Sequence, residues 1–359
     1  MSILELNEKE NVVILSHKKY LEGVYTQSMF WEKLDIFNIK TPFRMDLEAE
    51  NVAKRLENGE ISVNQKKKKR KLELKESLKN EISYLKEKLP IFLSMKQFHF
   101  SEGPSVEDIR HNNKTLRENV KALVQTLHSL TTPDYGQNTS NHCVEQGGVI
   151  LPPKSKFRKQ DVMNLEEWDS STYDLILMDP PLSNKHVKMV QMTGAGYMMM
   201  DNDDLEKMPV IKLLNDDGLL FVWCTNKLKH RAAVTAWFTS WGLSMVGTWY
   251  WVKVTKHGEM VTQFTQDKQP YEVVIVAQKC GLEKGVLKDV KDGLVIFSVP
   301  SGIHSHKPPL NDLINTVMDG QMDRSWDMLD KLEMFGRNLL PGWVTVGNQP
   351  CLLNTEIHI

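Results

Sequence analysis

Beyond residue 150 the chain is a succession of short, uninterrupted apolar segments separated by helical or polar stretches, and that texture restricts the fold more than any other feature. Tyr173–Asp179 (YDLILMD), Gly218–Cys224 (GLLFVWC), Met245–Val254 (MVGTWYWVKV), Tyr271–Gln278 (YEVVIVAQ), Leu294–Val299 (LVIFSV), Lys331–Phe335 (KLEMF) and Trp343–Gln349 (WVTVGNQ) read as strands. Several are continuously apolar, as expected of central strands covered on both faces. Asp203–Asn215 and Lys229–Gly242 read as helices between them, with Gly242 as a C-terminal cap. Strands alternating with helices make a doubly wound α/β sheet with helices on both faces, whose ligands lie beyond the carboxyl ends of its strands. Trp31 alone of the nine tryptophans precedes residue 150, so the main core is C-terminal.

The first 148 residues read as an N-terminal extension, and residues 149–359 as the principal domain. The extension carries a basic run, Lys66–Lys71 (KKKKRK). It is followed by Leu72, Leu74, Leu78, Ile82, Leu85 and Leu89 at mostly helical spacing, which predicts an amphipathic helix ended by Pro90. The basic run fits a solvated helix start, a nuclear import signal or a phosphate-contacting patch. Thr131–Gly148 (TTPDYGQNTSNHCVEQGG) reads as a linker or exposed loop, too polar to order itself by apolar burial.

Composition narrows the class further. With 45 basic and 46 acidic residues in 359, the chain is an ordinary globular sequence and neither fibrous nor disordered. The balance is an average: residues 151–359 come to about −3 and the first 150 to about +2, so a small, locally gripped nucleic-acid partner is compatible with it. Four separated cysteines without a C-x-x-C pair suggest neither a disulfide framework nor a structural zinc, and a reducing compartment follows. No apolar run approaches the ~20 residues that span a bilayer, and the opening residues lack the pattern of a signal peptide, so a nuclear or cytoplasmic location is expected.

The most informative residues are Asp179-Pro180-Pro181-Leu182, directly after the apolar run LILM. An acid there sits where this architecture binds ligands, and the two prolines hold the following backbone extended. Lacking N–H groups, they leave a surface made of acceptors, the Asp179 carboxylate and nearby carbonyls. That suits a group with two donor hydrogens from which a nucleophile must be developed, such as the exocyclic amine of a base. Accepting its hydrogens draws a conjugated, weakly nucleophilic nitrogen toward tetrahedral geometry and stabilises positive charge as it attacks an electrophilic methyl. Taken alone, the tetrapeptide is equally a strand followed by a turn with a surface Asp.

Further segments decide between these readings. Leu151–Phe157, Asn184–Lys188, Trp223–His230, Trp249–Glu259, Pro270–Glu272, Ser298–Leu310, Leu332–Trp343 and Gly347–Gln349, together with DPPL, resemble in order and spacing the adenine N6-methyltransferase family of the messenger-RNA writer. Within it they are most similar to the branch called methyltransferase-like protein four. The resemblance covers about residues 150 to 350. It implies a circularly permuted Rossmann-like sheet, beside which the first 148 residues form a mainly helical extension. The implied cofactor is S-adenosyl-L-methionine and the implied partner a nucleic acid, with adenine single-stranded or flipped out of the stack. The substrate it points to is 2′-O-methyladenosine in U2 small nuclear RNA, with DNA adenine as the second class.

The resemblance also assigns roles. Asp179, Pro180, Pro181 and Leu182 form the catalytic motif, with Asp179 near the methionyl amine as well as the target amine. The cofactor set is Asp161, Asp179, Lys307 for the methionine carboxylate, the loop residues Glu333, Phe335, Arg337 and Asn338, and Asn348 with Gln349 for ribose and adenine. Asn184, Lys185, Tyr197, Asn226 and Glu272 are expected at the substrate. Lys154, Lys156, Arg158, Lys185, Lys188, Lys227 and Lys229 are candidate phosphate contacts, although any one of them is equally a solvated lysine. Lys307 is open to that reading as well, and Glu333 with Arg337 to a surface ion pair. His304 and His306 lack partners at metal-ligand spacing, and no metal is expected.

One position departs from the pattern: Leu182 stands where active members carry an aromatic, normally Trp. Loss of one base-stacking aromatic removes ~1 to 3 kcal/mol, a factor of roughly 5 to 150, which weakens an enzyme without silencing it. The acid and the cofactor residues are retained, so the chain is expected to be an active enzyme; a monomer is the expected state, with the need for a partner subunit left open by the sequence. The rival readings are a catalytically weak or inactive nucleic-acid-binding relative, marked by Leu182, and an α/β binding protein for some other small ligand.

Overall fold

The computed structural model describes residues 2–25, 36–43, 76–95, 106–165, 171–182, 200, 202–264, 269–281, 291–318 and 324–355. Asn184, Lys185, Lys188, Tyr197 and the basic run Lys66–Lys71 lie outside the described residues.

The chain opens with a hairpin, β1 (Ile3–Asn7) and β2 (Val12–Leu15), and a helix α1 (His17–Val24), where the Ser16 hydroxyl accepts from the Lys19 amide as an N-cap. Two long helices follow, α2 (Glu76–Ser94) and α3 (Val106–Ser129). Then come β3 (Tyr135–Gln137), β4 (Val144–Gln146), β5 (Val149–Leu151), β6 (Lys156–Lys159) and β7 (Tyr173–Met178). Two short helices, α4 (Asn202–Glu206) and α5 (Val210–Leu213), lead into β8 (Leu214–Cys224), α6 (Leu228–Ser240), β9 (Leu243–Lys253) and β10 (Tyr271–Lys279). The described chain closes with β11 (Val295–Ser298), α7 (Asn311–Met318), β12 (Lys331–Met334) and β13 (Val344–Gly347).

Eleven strands form one mixed sheet in the order β1-β2-β11-β9-β10-β8-β7-β12-β13-β6-β3, and β4 pairs with β5 separately. The strands β6, β13, β12, β7 and β8 are mutually parallel, with Met178 opposite Met334 and Val222, so their carboxyl ends share one edge. β10 runs antiparallel to both β8 and β9, where a strictly alternating α/β reading has a crossover. The reason is local: no helix lies between Lys253 and Tyr271 among the described residues, and a hairpin-like return cannot be parallel. The reversal brings the start of β10 and the end of β9 to the same edge as the end of β8.

Side chains of one strand alternate between two buried clusters. Ile176, Met178, Leu220 and Val222 face a layer that includes α2 and α6, and Leu175, Leu177, Phe221 and Trp223 face one that includes α1 and α7. With both faces covered, every residue of Tyr173–Met178 is buried, which is why the strand is apolar apart from Asp174, whose buried carboxylate is met by Asn215, Arg324 and the Asp330 amide.

Three expectations need correcting. Helix α2 continues through Pro90 to Ser94 instead of stopping there. The proline sacrifices one backbone bond, but Phe92 beyond it is fully buried and stacks on Phe297 with ring centroids 4.2 Å apart, and that burial outweighs the lost bond. The single helix expected over 203–215 is broken at Pro209 into α4 and α5, and Leu214 already belongs to β8. The polar stretch 131–148 is ordered mainly by hydrogen bonds, with Cys143 and Val144 partly buried: β3 pairs with β6, and the buried Asn138 amide nitrogen lies 2.8–3.0 Å from the carbonyls of His142, Leu151 and Pro152. The sheet takes strands from both sides of the boundary expected at residue 148, since β2 pairs in parallel with β11.

Candidate active site

At the carboxyl edge of the sheet two cavities meet at Asp179. The first, about 330 Å³, is bounded by the ends of β6, β7, β12 and β13 and includes Asp161, Asp179, Pro180, Pro181, Phe335, Arg337, Asn348 and Gln349 in its wall. The second, about 350 Å³, lies toward β8, β9 and β10 and includes Phe43, Asp179, Pro180, Leu182, Trp223, Trp251, Lys253, Glu272 and Lys307. Ser305 borders both.

Local structure explains how these groups are held. The Asp179 amide donates to Met334 O at 3.2 Å, which ties the start of the Pro-Pro segment to the end of the neighbouring strand. The Leu182 amide donates to Pro180 O at 2.7 Å, a tight turn that tucks the leucine into the second cavity. Phe335 and Ser305, on the two loops that frame the junction, both have left-handed backbone, φ +65° and +62°. Such conformations are costly for residues with a Cβ and persist where surroundings impose them. Phe335 is imposed on by its amide, which donates to Val346 O at 2.8 Å, and by Gly347, whose missing side chain lets the Phe335 backbone pass within 3.2 Å of where a Cβ would stand. Asp161 caps the turn at Val162–Asn164 by accepting from the Met163 amide at 3.0 Å.

The charges at the junction form a chain. Lys253 pairs with Glu272, Glu272 accepts from Lys307 at 2.8 Å, and the Lys307 ammonium is 3.4 Å from Asp179. Burial would raise Glu272, but the two lysines overcome it and hold its carboxyl well below the usual range. Lys307 is the mirror case: burial works against its charge, and Asp179 and Glu272 push its ionisation above the ordinary lysine value. Asp179 itself is raised by burial, against the opposing pull of Lys307. The Ser305 hydroxyl donates to the other Asp179 oxygen at 3.4 Å.

The first cavity therefore gathers Asp161, Asp179, Phe335, Arg337, Asn348 and Gln349. Lys307 stands on the side of the second cavity, and with Glu333 and Asn338 it lines a narrow recess of about 20 Å³ between the two. Glu333 does not reach the wall of the first cavity. Its carboxyl is buried beneath Gly336, 3.3 Å from the Thr345 hydroxyl, and burial pushes it up to about 8. Arg337 makes no pair with Glu333; its guanidinium donates to His304 O at 2.7 Å. Asn226 lies beside the second cavity with its amide 3.3 Å from Tyr271 O, and Glu272 is in that cavity's wall. His304 is lowered to about 4 by burial and by the neighbouring Arg337 and Lys307. Among the described residues no group of three or more His, Cys, Asp or Glu side chains is placed to hold a metal, and no helix is long and apolar enough to cross a membrane.

Sequence reasoning missed Phe43, Trp251, Lys253 and Ser305. Lys253 did carry a signal: it ends the Trp249, Trp251, Lys253 face of β9, and a lysine closing an apolar strand face marks where that face opens to a polar site. Ser305 and Phe43 carry none, because their roles rest on a backbone angle and on a contact between distant segments.

Residues 173–349 match the sequence profile of the family described as MT-A70. The chain is 34% identical over 213 residues to the N(6)-adenine-specific methyltransferase METTL4 of Mus musculus, covering 56% of this chain and 42% of that protein. It is 26% identical over 366 aligned positions to the DNA N6-methyl methyltransferase of Caenorhabditis elegans, covering 96% of each. It is also 30% identical over 224 residues to the N6-methyladenosine RNA methyltransferase MTA1 of Pyricularia oryzae, covering 59% of this chain and 56% of that one. The chain spans about half the length of the mouse and fungal relatives it matches.

Proposed function

Because residues 173–349 form an MT-A70 domain, we propose that this chain transfers a methyl group from S-adenosyl-L-methionine to the N6 amine of adenine in a nucleic acid. The observation that carries this reading is the pair of cavities joined at Asp179, one fit for a small molecule and the other lined with aromatic and charged groups. The first has the size of a ligand pocket, and its donor set suits a nucleoside joined to an amino acid. Asp161, Asn348 and Gln349 offer a carboxylate and side-chain amides to ribose and base, Phe335 offers a ring, and Arg337 a cation toward the carboxylate end. Lys307, which lines the second cavity and the recess between the two, would supply a further cation for the methionine carboxylate. The cofactor supplies an electrophilic methyl carbon on a sulfonium, which departs as a neutral thioether.

The chain's own residues do the rest. The second cavity takes one adenine, and single-stranded nucleic acid delivers it at least unstacking cost. Pro180 and Pro181 carry no N–H, so the backbone of the motif directs no donor from these two residues at the amine. The two oxygens of Asp179 are steadied by Lys307 and Ser305, and Lys307 favours the ionised form that burial opposes. In that form Asp179 accepts an N6 hydrogen as the nitrogen turns tetrahedral, which stabilises the charge developing there and receives the proton the product amine must lose. In the chain the acceptor motif after β7 precedes the loop after β12, an order that supports a circularly permuted Rossmann-like sheet.

The named relatives act on adenine in DNA and in RNA. RNA is the substrate of first choice in this reading, with 2′-O-methyladenosine of U2 small nuclear RNA the first to assay and DNA adenine the second, and the site of action is nuclear. The test is transfer of labelled methyl from the cofactor to adenine-containing RNA and DNA by wild type, Asp179→Ala and Leu182→Trp. Wild type should transfer, and Asp179→Ala should lose about 10²-fold or more. A wild type indistinguishable from Asp179→Ala and without cofactor binding refutes the proposal. A wild type that binds nucleic acid but transfers only after Leu182→Trp favours the other reading, a non-catalytic relative marked by Leu182.

A further inference from the structure

We propose that Phe43, outside the MT-A70 domain, is the platform on which the substrate base stacks. The inference rests on the methyl-transfer reading and names a specificity determinant of the same cavity. Three carbocyclic aromatic side chains, Phe43, Trp223 and Trp251, line that cavity among the described residues, beside the imidazoles of His304 and His306. Two are already committed. Trp223 and Trp251 are each 2% exposed and pack edge to face with centroids 5.6 Å apart. The Lys307 ammonium lies over the Trp223 ring at 5.6 Å and the Lys253 ammonium over the Trp251 ring at 4.4 Å. The Trp251 indole N–H is spent on the Ser298 hydroxyl at 2.7 Å. Phe43, by contrast, is 38% exposed; the imidazole of His304 is exposed in this wall as well, and Phe43 is the apolar ring there with surface to offer.

The segment that presents Phe43 is clamped from three sides. From α3, Asn113 donates to Pro42 O at 3.1 Å and Asn112 to Asn38 O at 3.2 Å. From the β9–β10 connection, Val261 O accepts from the Phe43 amide at 2.6 Å and the Lys256 amide donates to Ile39 O at 2.8 Å. From the loop beneath the cavity, the Gly302 amide donates to Ile36 O at 2.7 Å. Ile36, Phe37 and Ile39 are buried, so the backbone at residue 43 is fixed although its ring is half exposed. An apolar ring held at the mouth of a polar cavity, on a backbone this constrained, suits a flat partner. Leu182 in the same wall is aliphatic and 7% exposed, so the stacking face that the Asp-Pro-Pro motif lacks is supplied from elsewhere in the chain.

The test compares wild type with Phe43→Leu, Phe43→Ala and Phe43→Tyr. It reads kcat/KM for methyl transfer to an adenine-containing single-stranded RNA, together with fluorescence quenching of an oligonucleotide carrying 2-aminopurine at the target position. Loss of a base–aromatic stack predicts a fall of about 5- to 150-fold for Leu and Ala, carried mainly by KM, with matching loss of quenching, and near-wild-type behaviour for Tyr. Calorimetric affinity for S-adenosyl-L-methionine and the melting temperature should not move, because Phe43 is absent from the first cavity's wall. Leu equal to wild type in transfer and quenching overturns the stacking role and leaves the proposed function standing. A wild type that neither transfers methyl nor quenches the probe overturns both. A wild type that quenches through Phe43 without transferring supports the platform and overturns the enzyme.

Discussion

Replacing Gly336 with alanine should loosen the loop after β12 and weaken the cofactor cavity without touching the acid at the junction. A Cβ at residue 336 would stand 2.7 Å from the Glu333 carboxyl carbon and one of its oxygens, and 2.7 Å from the Thr345 methyl. Carbon–carbon contacts are comfortable only near 3.5–4.0 Å, so the methyl needs roughly 1 Å of relief on two sides. Glu333 is the end of a flexible side chain, but it is half-buried and held by Thr345, and Thr345 is itself fully buried on β13. Neither can yield cheaply, which places the substitution among overpacking changes that cost about 1–3 kcal/mol. The strain has one easy outlet, a shift of the Phe335–Arg337 backbone into the cavity it borders. Denaturant unfolding should therefore show lower stability, and calorimetry a weaker affinity for S-adenosyl-L-methionine. Thr345→Ser, which deletes one of the two clashing groups, should recover part of the stability loss in a double-mutant cycle. If Gly336→Ala matches wild type in both measurements, or if Thr345→Ser restores nothing, the packing argument is wrong.

Two further outcomes follow from the buried charges. Glu333 titrates near 8 in the folded chain against an ordinary carboxyl of about 4.5, so the native state holds an extra proton between those values. Stability should fall as pH rises through that window, and Glu333→Gln should flatten the slope; an unchanged slope sinks the assignment. Lys307→Met removes the cation that opposes the effect of burial on Asp179, so the acidic limb of the kcat/KM profile at saturating cofactor should move to higher pH, with Lys307→Arg lying between. Coincident limbs for wild type and Lys307→Met would show that Asp179 ionisation does not govern the reaction.

How much of this was legible beforehand varied with the range of the interaction. The run Tyr173–Met178 announced a central strand because both faces are buried, and the acid after it had to fall at the ligand edge. Most residues named from the family resemblance for the first cavity are close in sequence to the ends of β6, β12 and β13, and the fold brings them into one wall. The partnership of Val12–Leu15 with β11 was not legible: four apolar residues name a strand without naming a neighbour almost 300 residues away. Pro90 misled because the burial of Phe92 is a tertiary effect that propensity does not contain. The stretch 131–148 misled for the converse reason, since its order comes mainly from the β3–β6 pairing and from one asparagine bonded to three carbonyls, with little apolar area.

The place of β2 in the sheet has a practical consequence for anyone dissecting the protein. Val295, Ile296 and Phe297 of β11 are fully buried, with β2 hydrogen-bonded along one side. A fragment begun at residue 149 would keep every residue of the first cavity's wall and still leave that strand as a bare, apolar edge. Such an edge recruits other chains. Residues 149–355 therefore keep that edge covered only while the amino terminus stays attached or is supplied as a separate strand.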